Sequence, residues 1–451
     1  MHSLTATEIA TALRFGTHSA REITEAALNR ITALNPRLNA ITDRCDVEAL
    51  ATADALDHAR AKGETLPPMA GVPVTIKCLT DQAGHATTNG TRINQHLIAT
   101  TDSPVVSNLR RAGAIIIGRT NTPAFSLRWF TRNQAYGQTL NPLDPTLTPG
   151  GSSGGAAVAA ATGMGAIAHG TDIAGSIRYP AYACGIHGLR PSLGRVPGFN
   201  ASGPDRLIGA QLMAVSGPLA RSVPDLALAF RAMSHPDPRD PWSLPETIPT
   251  PAPRRIALCP APEGLQTHPA IRQALTIAAH RFQSAGYEII ETSPPPLREA
   301  VTLQLQLWMG DMRRTRGAAV YAEGDADAIF VYENLCRHAP PPSLDAFMDI
   351  FAARSRLIRE WRAFFESTPL MLCPVSTDLP FANNRDVASD ADFDAIIEAQ
   401  TLQIAPPLMG LPGLTVSTGA PMAVQLLAAP YREDLLLEAG AVIGDAVPVV
   451  G

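Results

Sequence analysis

Of the 36 basic residues in this 451-residue chain, only Lys62 and Lys77 are lysines; the rest are arginines. Lys62 has an ordinary place, because a cation followed by Gly63 suits the last turn of a helix. Lys77 does not. It ends the run Gly71-Val-Pro-Val-Thr-Ile-Lys77, in which Val72, Val74 and Ile76 share one face of a strand, and a cation there is costly. Arginine keeps its proton at any usable pH, whereas a desolvated lysine can lose it. Moving a lysine from about 10.4 to about 7–8 takes about 4 kcal/mol, which burial can supply. Lys77 therefore points to proton transfer or Schiff-base chemistry.

Two small-residue segments bring hydroxyls. Thr148-Pro-Gly-Gly-Ser-Ser-Gly-Gly155 admits three uses. A phosphate loop would need a lysine after the glycines, where Ala156 stands. A nucleophile elbow is matched by Gly151, Ser153 and Gly155, and would need Asp225 with His235, His268 or His338 downstream. The third use is a backbone loop held close to a reacting centre, with a serine relaying a proton. The second segment is Gly170-Thr-Asp-Ile-Ala-Gly-Ser176-Ile-Arg-Tyr-Pro180. Gly175 permits unusual backbone angles just before Ser176, and successive N–H groups of such a turn can converge on an oxyanion.

Taken together, Lys77 after Gly71-Val-Pro-Val, the loop Gly150-Gly-Ser-Ser-Gly-Gly155 and the turn Thr171-Asp-Ile-Ala-Gly-Ser176-Ile-Arg178 closely resemble the amidase signature family. Ala86-Thr-Thr-Asn-Gly90, Gly118-Arg-Thr-Asn-Thr-Pro123, Gly188-Leu-Arg-Pro-Ser192 and Gly410-Leu-Pro-Gly413 support the resemblance, which is densest from about 66 to 225. It implies a Ser–cis-Ser–Lys triad. Ser176 would be the nucleophile, Ser152 the bridging serine on a cis peptide, and Lys77 the base that later returns a proton to the leaving amine. Backbone N–H groups of Ile173, Ala174, Gly175 and Ser176 would form the oxyanion hole. Ser153, Gly151 and an Asp172–Arg178 ion pair would support the two loops, while His169 and His187 read as packing residues. No metal or organic cofactor is implied. Four positions depart from the family pattern: Cys78, Ala124, Ala174 and Arg190.

These residues need a scaffold. A capping-box pattern at Ser19-Ala-Arg-Glu22 opens a helix expected to stop at Asn35-Pro36, and a second runs from about Asp46 to Lys62. Ala156 to Gly170 is expected to form a buried helix. Strands are expected at 71–77, 114–117, 255–259, 287–291, 370–375, 414–417 and 422–427, with helices between several of them. Such alternation predicts an α/β fold, and the resemblance makes it an amidase signature fold: a mixed central sheet covered by helices on both faces (α/β/α). One domain, 1–451, is expected, with N-terminal helices (1–65), a signature core (66–230), a helical insertion (295–367) and C-terminal strands and a helix completing the sheet (368–451). Pro236 to Pro253 is a proline-rich connector, and the link from Ser417 to Met422 is short.

With 45% apolar and 17% charged residues the chain reads as a protein with a sizeable core. A net charge of −5 gives no electrostatic case for nucleic acid or an anionic membrane. The uncharged run 145–171 is too rich in Gly, Ala, Ser and Thr to be a good membrane span. Six cysteines stand singly, at 45, 78, 184, 259, 336 and 373, with no Cys/His spacing typical of zinc. They fit a reducing, cytoplasmic setting. The resulting expectation is hydrolysis of a small-molecule amide to an acid and ammonia or an amine through a seryl-acyl intermediate, with a homodimer left open. The alternative within the fold is one subunit of a glutamine amidotransferase that, with a partner, modifies charged tRNA; a catalytically silent binding relative is a third reading. Arg128, Trp129, Phe130, Arg132, Trp308 and Met309 are the expected pocket walls.

Overall fold

The computed structural model describes every residue except 246, 247, 249, 420 and 421. Its centre is an eleven-stranded sheet flanked by helices. From one edge to the other the strands are Ile41–Arg44, Ile115–Thr120, Pro73–Lys77, Ile167–Asp172, Val215–Ala220, His187–Arg190, Gly413–Gly419, Met422–Ala428, Leu370–Pro374, Arg255–Leu258 and Glu288–Glu291. The sheet is mixed. Pro73–Lys77 runs parallel to both of its neighbours, whereas the strands from Ile167–Asp172 to Leu370–Pro374 pair antiparallel in succession.

That parallel pairing positions the lysine. Val74 lies opposite Ile167 and Thr75 opposite Ala168, so continuing the register carries Lys77 to the level of Gly170. Both strands then end on the same side of the sheet, and the loops that leave them meet there. In open α/β sheets this carboxyl end of parallel strands is where ligands bind.

Pro73–Lys77 is buried at all five positions, including Thr75 and Lys77. The face opposite Val74 and Ile76, which carries Thr75 and Lys77, is thus covered as well. What covers it is the helix Gly154–Ala161, every residue of which is buried. Only small residues allow that close approach: a Cβ on Gly155 would lie 2.6–2.7 Å from backbone atoms of Asn121 and Ala40.

The expectation of one helix across 156–170 is corrected. The helix stops at Ala161, Gly163 turns the chain at φ +69°, and Ile167–Asp172 is a strand. Ladder hydrogen bonds to a neighbour on each side outweigh the helical tendency of an alanine-rich run. For the same reason His187–Arg190 and Val215–Ala220 are strands that no alternating pattern announced. The helix opened by the capping box at Ser19 also differs from expectation. It runs Ala20–Leu38, through Pro36, and closes at Asn39 in the left-handed region. A proline this near the end removes one amide donor, and the last turn survives its loss.

The segment 295–367 contains the helices Arg298–Thr315, Gly317–Glu323, Ala326–His338 and Leu344–Ser367. The C-terminal hairpin pairs Gly413–Gly419 with Met422–Ala428; its tip at 420 and 421, and residues 246, 247 and 249 of the connector, lie outside the described residues. Among the described residues, no helix is long and apolar enough to cross a membrane.

Candidate active site

Lys77 is completely buried at the end of its strand. Its Nζ lies 2.6 Å from Ser152 Oγ, 3.1 Å from Ser153 Oγ and 3.0 Å from Thr171 Oγ1. Burial pulls the amine down to about 7, with Cys78 and Asp172 pulling weakly the other way. Near neutral pH a large share of Lys77 is therefore uncharged, with two protons and a lone pair to share among three oxygens. The Ser153 hydroxyl is in reach of Thr171 O at 3.3 Å and accepts the Thr171 N–H at 3.3 Å. With its own proton on that carbonyl, Ser153 serves Lys77 as an acceptor. The shortest contact, to Ser152, is then free to carry a proton toward nitrogen.

Ser152 follows a cis peptide at Gly151–Ser152 and is 1% exposed. The loop can lie where it does because Gly151 has no side chain. A Cβ there would meet backbone atoms of Arg128, Trp129 and Phe130 at 2.5–2.7 Å. The Ser153 N–H donates to Ser176 O at 3.2 Å, tying this loop to the second serine turn. Ser176 is 6% exposed, whereas Lys77 and Ser152 are at 0–1%, so Ser176 is the member of the set nearest solvent.

Asp172 organises the Ser176 turn from below. Its carboxylate accepts from the Gly175 N–H at 2.9 Å, the Ile177 N–H at 3.2 Å and Arg178 Nε and Nη2 at 3.0 Å each. Arg190 Nη1 reaches the same carboxylate at 3.4 Å and donates to the Asp172 carbonyl at 2.6 Å. Burial by itself would raise this carboxyl; Arg178 and Arg190, with the Gly175 N–H, outweigh it and hold the group at about 2. The other carbonyls of the turn are also engaged. Gln304 Nε2 donates to Ile173 O at 2.9 Å, Trp129 Nε1 to Ala174 O at 2.8 Å, and the Tyr179 N–H to Gly175 O at 2.8 Å. Because a peptide group is planar, holding its carbonyl on one side turns its N–H to the other. The N–H groups of Ile173, Ala174 and Ser176 thus face away from these donors. Gly175 differs from the expected set of four, since its N–H is held by Asp172.

The groups that a nucleophile elbow would need have other partners. Asp225 accepts from the Ala6 and Thr7 N–H groups, His268 caps the helix Pro269–Ser284, and His338 meets Asp394. His235 contacts the carbonyl of Pro236. His169 Nδ1 accepts the Lys77 N–H at 3.4 Å, which leaves Nε2–H for Ser216 Oγ at 3.0 Å. Burial, with Lys77 and Arg119 nearby, lowers this imidazole to about 3, so it stays neutral. Of the expected pocket walls, Arg128 is buried against Asp386 at 2.8 Å, Phe130 stacks on Phe381, and Arg132 is half-exposed beside Asp327. Trp308 and Met309 are buried in the helix Arg298–Thr315. Sequence reasoning passed over Thr171 and Gln304. Thr171 opens a motif already singled out; for Gln304, inside an amphipathic helix, no local signal exists.

The family model of the amidases matches residues 22–437. An indoleacetamide hydrolase of Bradyrhizobium diazoefficiens is 40% identical over 455 residues, covering 99% of this chain and 87% of that protein. A glutamyl-tRNA(Gln) amidotransferase subunit of Rhodopirellula baltica is 33% identical over 485 residues, covering 98% and 95%. Among solved structures, a bacterial aryl acylamidase of the amidase signature enzymes superposes with a TM-score of 0.83 over 99% of this chain and 96% of its own, at 23% identity.

Proposed function

This chain belongs to the amidase family and hydrolyses carbon–nitrogen bonds of non-peptide amides, and from that premise we propose that Ser176, Ser152 and Lys77 carry the reaction on an arylacetamide of the indoleacetamide kind. Ser176 Oγ attacks the amide carbon as its proton passes to Ser152 Oγ, whose own proton moves to the lone pair of Lys77 Nζ. The carbonyl oxygen becomes an oxyanion, met by the N–H groups of Ile173, Ala174 and Ser176. One such donor is worth about 3 kcal/mol. As the intermediate collapses, Lys77 returns its proton through Ser152 to the nitrogen, and ammonia leaves a Ser176 ester. Water then attacks the ester in the place of Ser176, passing its proton through Ser152 to Lys77, and Lys77 returns that proton through Ser152 to Ser176 Oγ as the acid leaves.

What supports this assignment is above all the 2.6 Å contact between Lys77 Nζ and Ser152 Oγ in a setting that strips the amine of solvent. Every proton has a donor and an acceptor among the chain's own residues, so no cofactor is assigned. The substrate class rests on the 40% identity to indoleacetamide hydrolase over nearly the whole chain. We place the enzyme in the cytoplasm, consistent with six free cysteines, acting on a small molecule without nucleic acid, as a monomer or homodimer.

The test is twofold. An organophosphorus serine probe, read by intact mass spectrometry, is expected to add one label to the wild type and none to Ser176→Ala; equal labelling of both removes Ser176 from its role. Ammonia release is then compared across indole-3-acetamide, phenylacetamide, hexanamide and glutamine. Fastest turnover of glutamine, dependent on an added partner, would replace the arylacetamide reading with the amidotransferase one.

A further inference from the structure

We propose that Cys45, Glu48 and His85 form a site for one divalent transition metal, zinc in preference, separate from the serine–lysine centre. Cys45 lies between the edge strand Ile41–Arg44 and the helix Asp46–Ala61. Glu48, three residues on, is in the first turn of that helix and shares its face. His85 comes from the loop after Lys77. Forty residues separate Cys45 from His85, so no zinc-type spacing marks the set in the sequence.

The ligand atoms of the three lie within 4.8 Å of one another. Cys45 Sγ is 3.8 Å from His85 Nε2, and Nε2 is 3.1 Å from Glu48 Oε1. Tetrahedral zinc, with bonds of about 2.3 Å to sulfur and about 2.0–2.1 Å to nitrogen and oxygen, needs edges of roughly 3.5 Å and 3.3 Å. The two His85 edges are within a few tenths of an ångström of this, and the Cys45–Glu48 edge, at most 4.8 Å, is closed by movement of the Glu48 side chain, which is 45% exposed. His85 is already oriented for ligation. Its Nδ1 is held by Asp43 Oδ2 at 2.7 Å, the carboxylate–histidine arrangement that commonly fixes a metal-bound imidazole and turns Nε2 to the ion. Gln82 Nε2 donates to Cys45 Sγ at 3.4 Å and so supports a thiolate.

The charges balance: a dication meets one thiolate and one carboxylate. Beyond them, Arg110 lies 3.6 Å from the second Glu48 oxygen, and Asp43 adds a further carboxylate behind His85. On binding, the metal replaces the thiol proton of Cys45 and the proton between His85 Nε2 and Glu48, and both leave to solvent. Cys45 is buried, the His85 side chain is 12% exposed and that of Glu48 45%. An ion therefore enters from the Glu48 side, where water takes the fourth position.

Cobalt(II) is the probe, titrated into reduced full-length protein cleared of metal by chelation and dialysis. The expected result is saturation at one equivalent, a thiolate-to-cobalt charge-transfer band in the near ultraviolet, d–d bands of four-coordinate intensity, and loss of all of these on adding zinc. Cys45→Ser is expected to lose the charge-transfer band. Glu48→Gln, at an exposed position that leaves the fold intact, and Asp43→Asn are each expected to weaken binding at least about tenfold. Circular dichroism of the metal-free variants checks their folding. Absence of the band in the wild type, its persistence in Cys45→Ser, or unchanged affinity in Glu48→Gln would overturn the site.

Discussion

At the residue scale the reaction depends on the charge of one amine. Lys77 must be neutral to accept a proton, and burial places it at about 7. Since the protonated form is inactive, kcat/KM for an amide is expected to rise with pH through about 7 and level off above it. A profile flat between pH 5.5 and 8.5 would rule Lys77 out as the base. Lys77→Met keeps the apolar stem and removes the base, and is expected to lower kcat by at least about a thousandfold, given that loss of a triad member costs more than this elsewhere. A hydroxylamine trap for the acyl-enzyme should find none in that variant. Much of this is legible in the sequence, because one of two lysines in an arginine-rich chain, set at the end of an apolar strand, needs a reason that arginine cannot meet. The serine partners are not. Composition leaves Ser153 and Ser152 equivalent, and only the resemblance, then the hydroxyl geometry around Nζ, separates them.

At the scale of elements, the Ser176 turn is held by donors from three separate segments: Arg190 from a central strand, Trp129 from the loop after Ile115–Thr120, and Gln304 from the helix Arg298–Thr315. Trp129→Phe keeps the ring's bulk but strips the Ala174 carbonyl of its partner, leaving a buried acceptor unpaired at a cost of about 1–3 kcal/mol. We expect kcat to fall at least about tenfold with KM little changed, because this carbonyl shares a peptide plane with the Gly175 N–H held by Asp172, and freeing one side of that plane lets the turn before Ser176 shift. Steady-state kinetics on one amide checks this; a change confined to KM would place Trp129 in substrate binding instead. Gln304→Leu is expected to act in the same direction through Ile173. Neither role can be read from a heptad or an alternating pattern, since Trp129 lies in a loop and Gln304 on a helix face that also buries apolar neighbours. The strand Ile167–Asp172 reads as helix in the sequence for a related cause: alanine and glycine are silent about pairing until neighbours supply the ladder.

At the scale of the whole molecule, Asp172 joins the nucleophile turn to the C-terminal part of the chain. Arg178, on its carboxylate, also donates to the carbonyls of Leu402 and Gln403 and to Gln425 Oε1. Removing one partner of such a buried pair leaves an uncompensated charge and costs about 3–5 kcal/mol. Arg178→Met is therefore expected to lower the thermal midpoint by several degrees, read by calorimetry, and to abolish turnover as the turn relaxes. An unchanged midpoint would show the pair to be dispensable. The same carboxyl sets a pH dependence. Its folded value of about 2 lies below an unfolded value of 3.8, so the unfolded chain binds the proton more readily. The stabilisation is complete above about pH 4 and is lost as pH falls toward 2. Asp172→Asn is expected to flatten that part of the acid-denaturation curve.

The chain's own order of residues determined which groups are available and of what kind: one lysine out of place, two hydroxyl-bearing glycine turns, and an arginine beside an aspartate. Those are local facts, set by side-chain chemistry and by backbone freedom at glycine. Tertiary structure decided which of them meet. Parallel pairing of Pro73–Lys77 with Ile167–Asp172 brings two strand ends to one side, and a helix of alanine and glycine packs closely enough to drain water from Lys77. Donors from 18 to 131 residues away then hold the Ser176 turn. Proximity of that kind depends on how the whole sheet closes, a sum of many pairings that no single stretch of sequence contains.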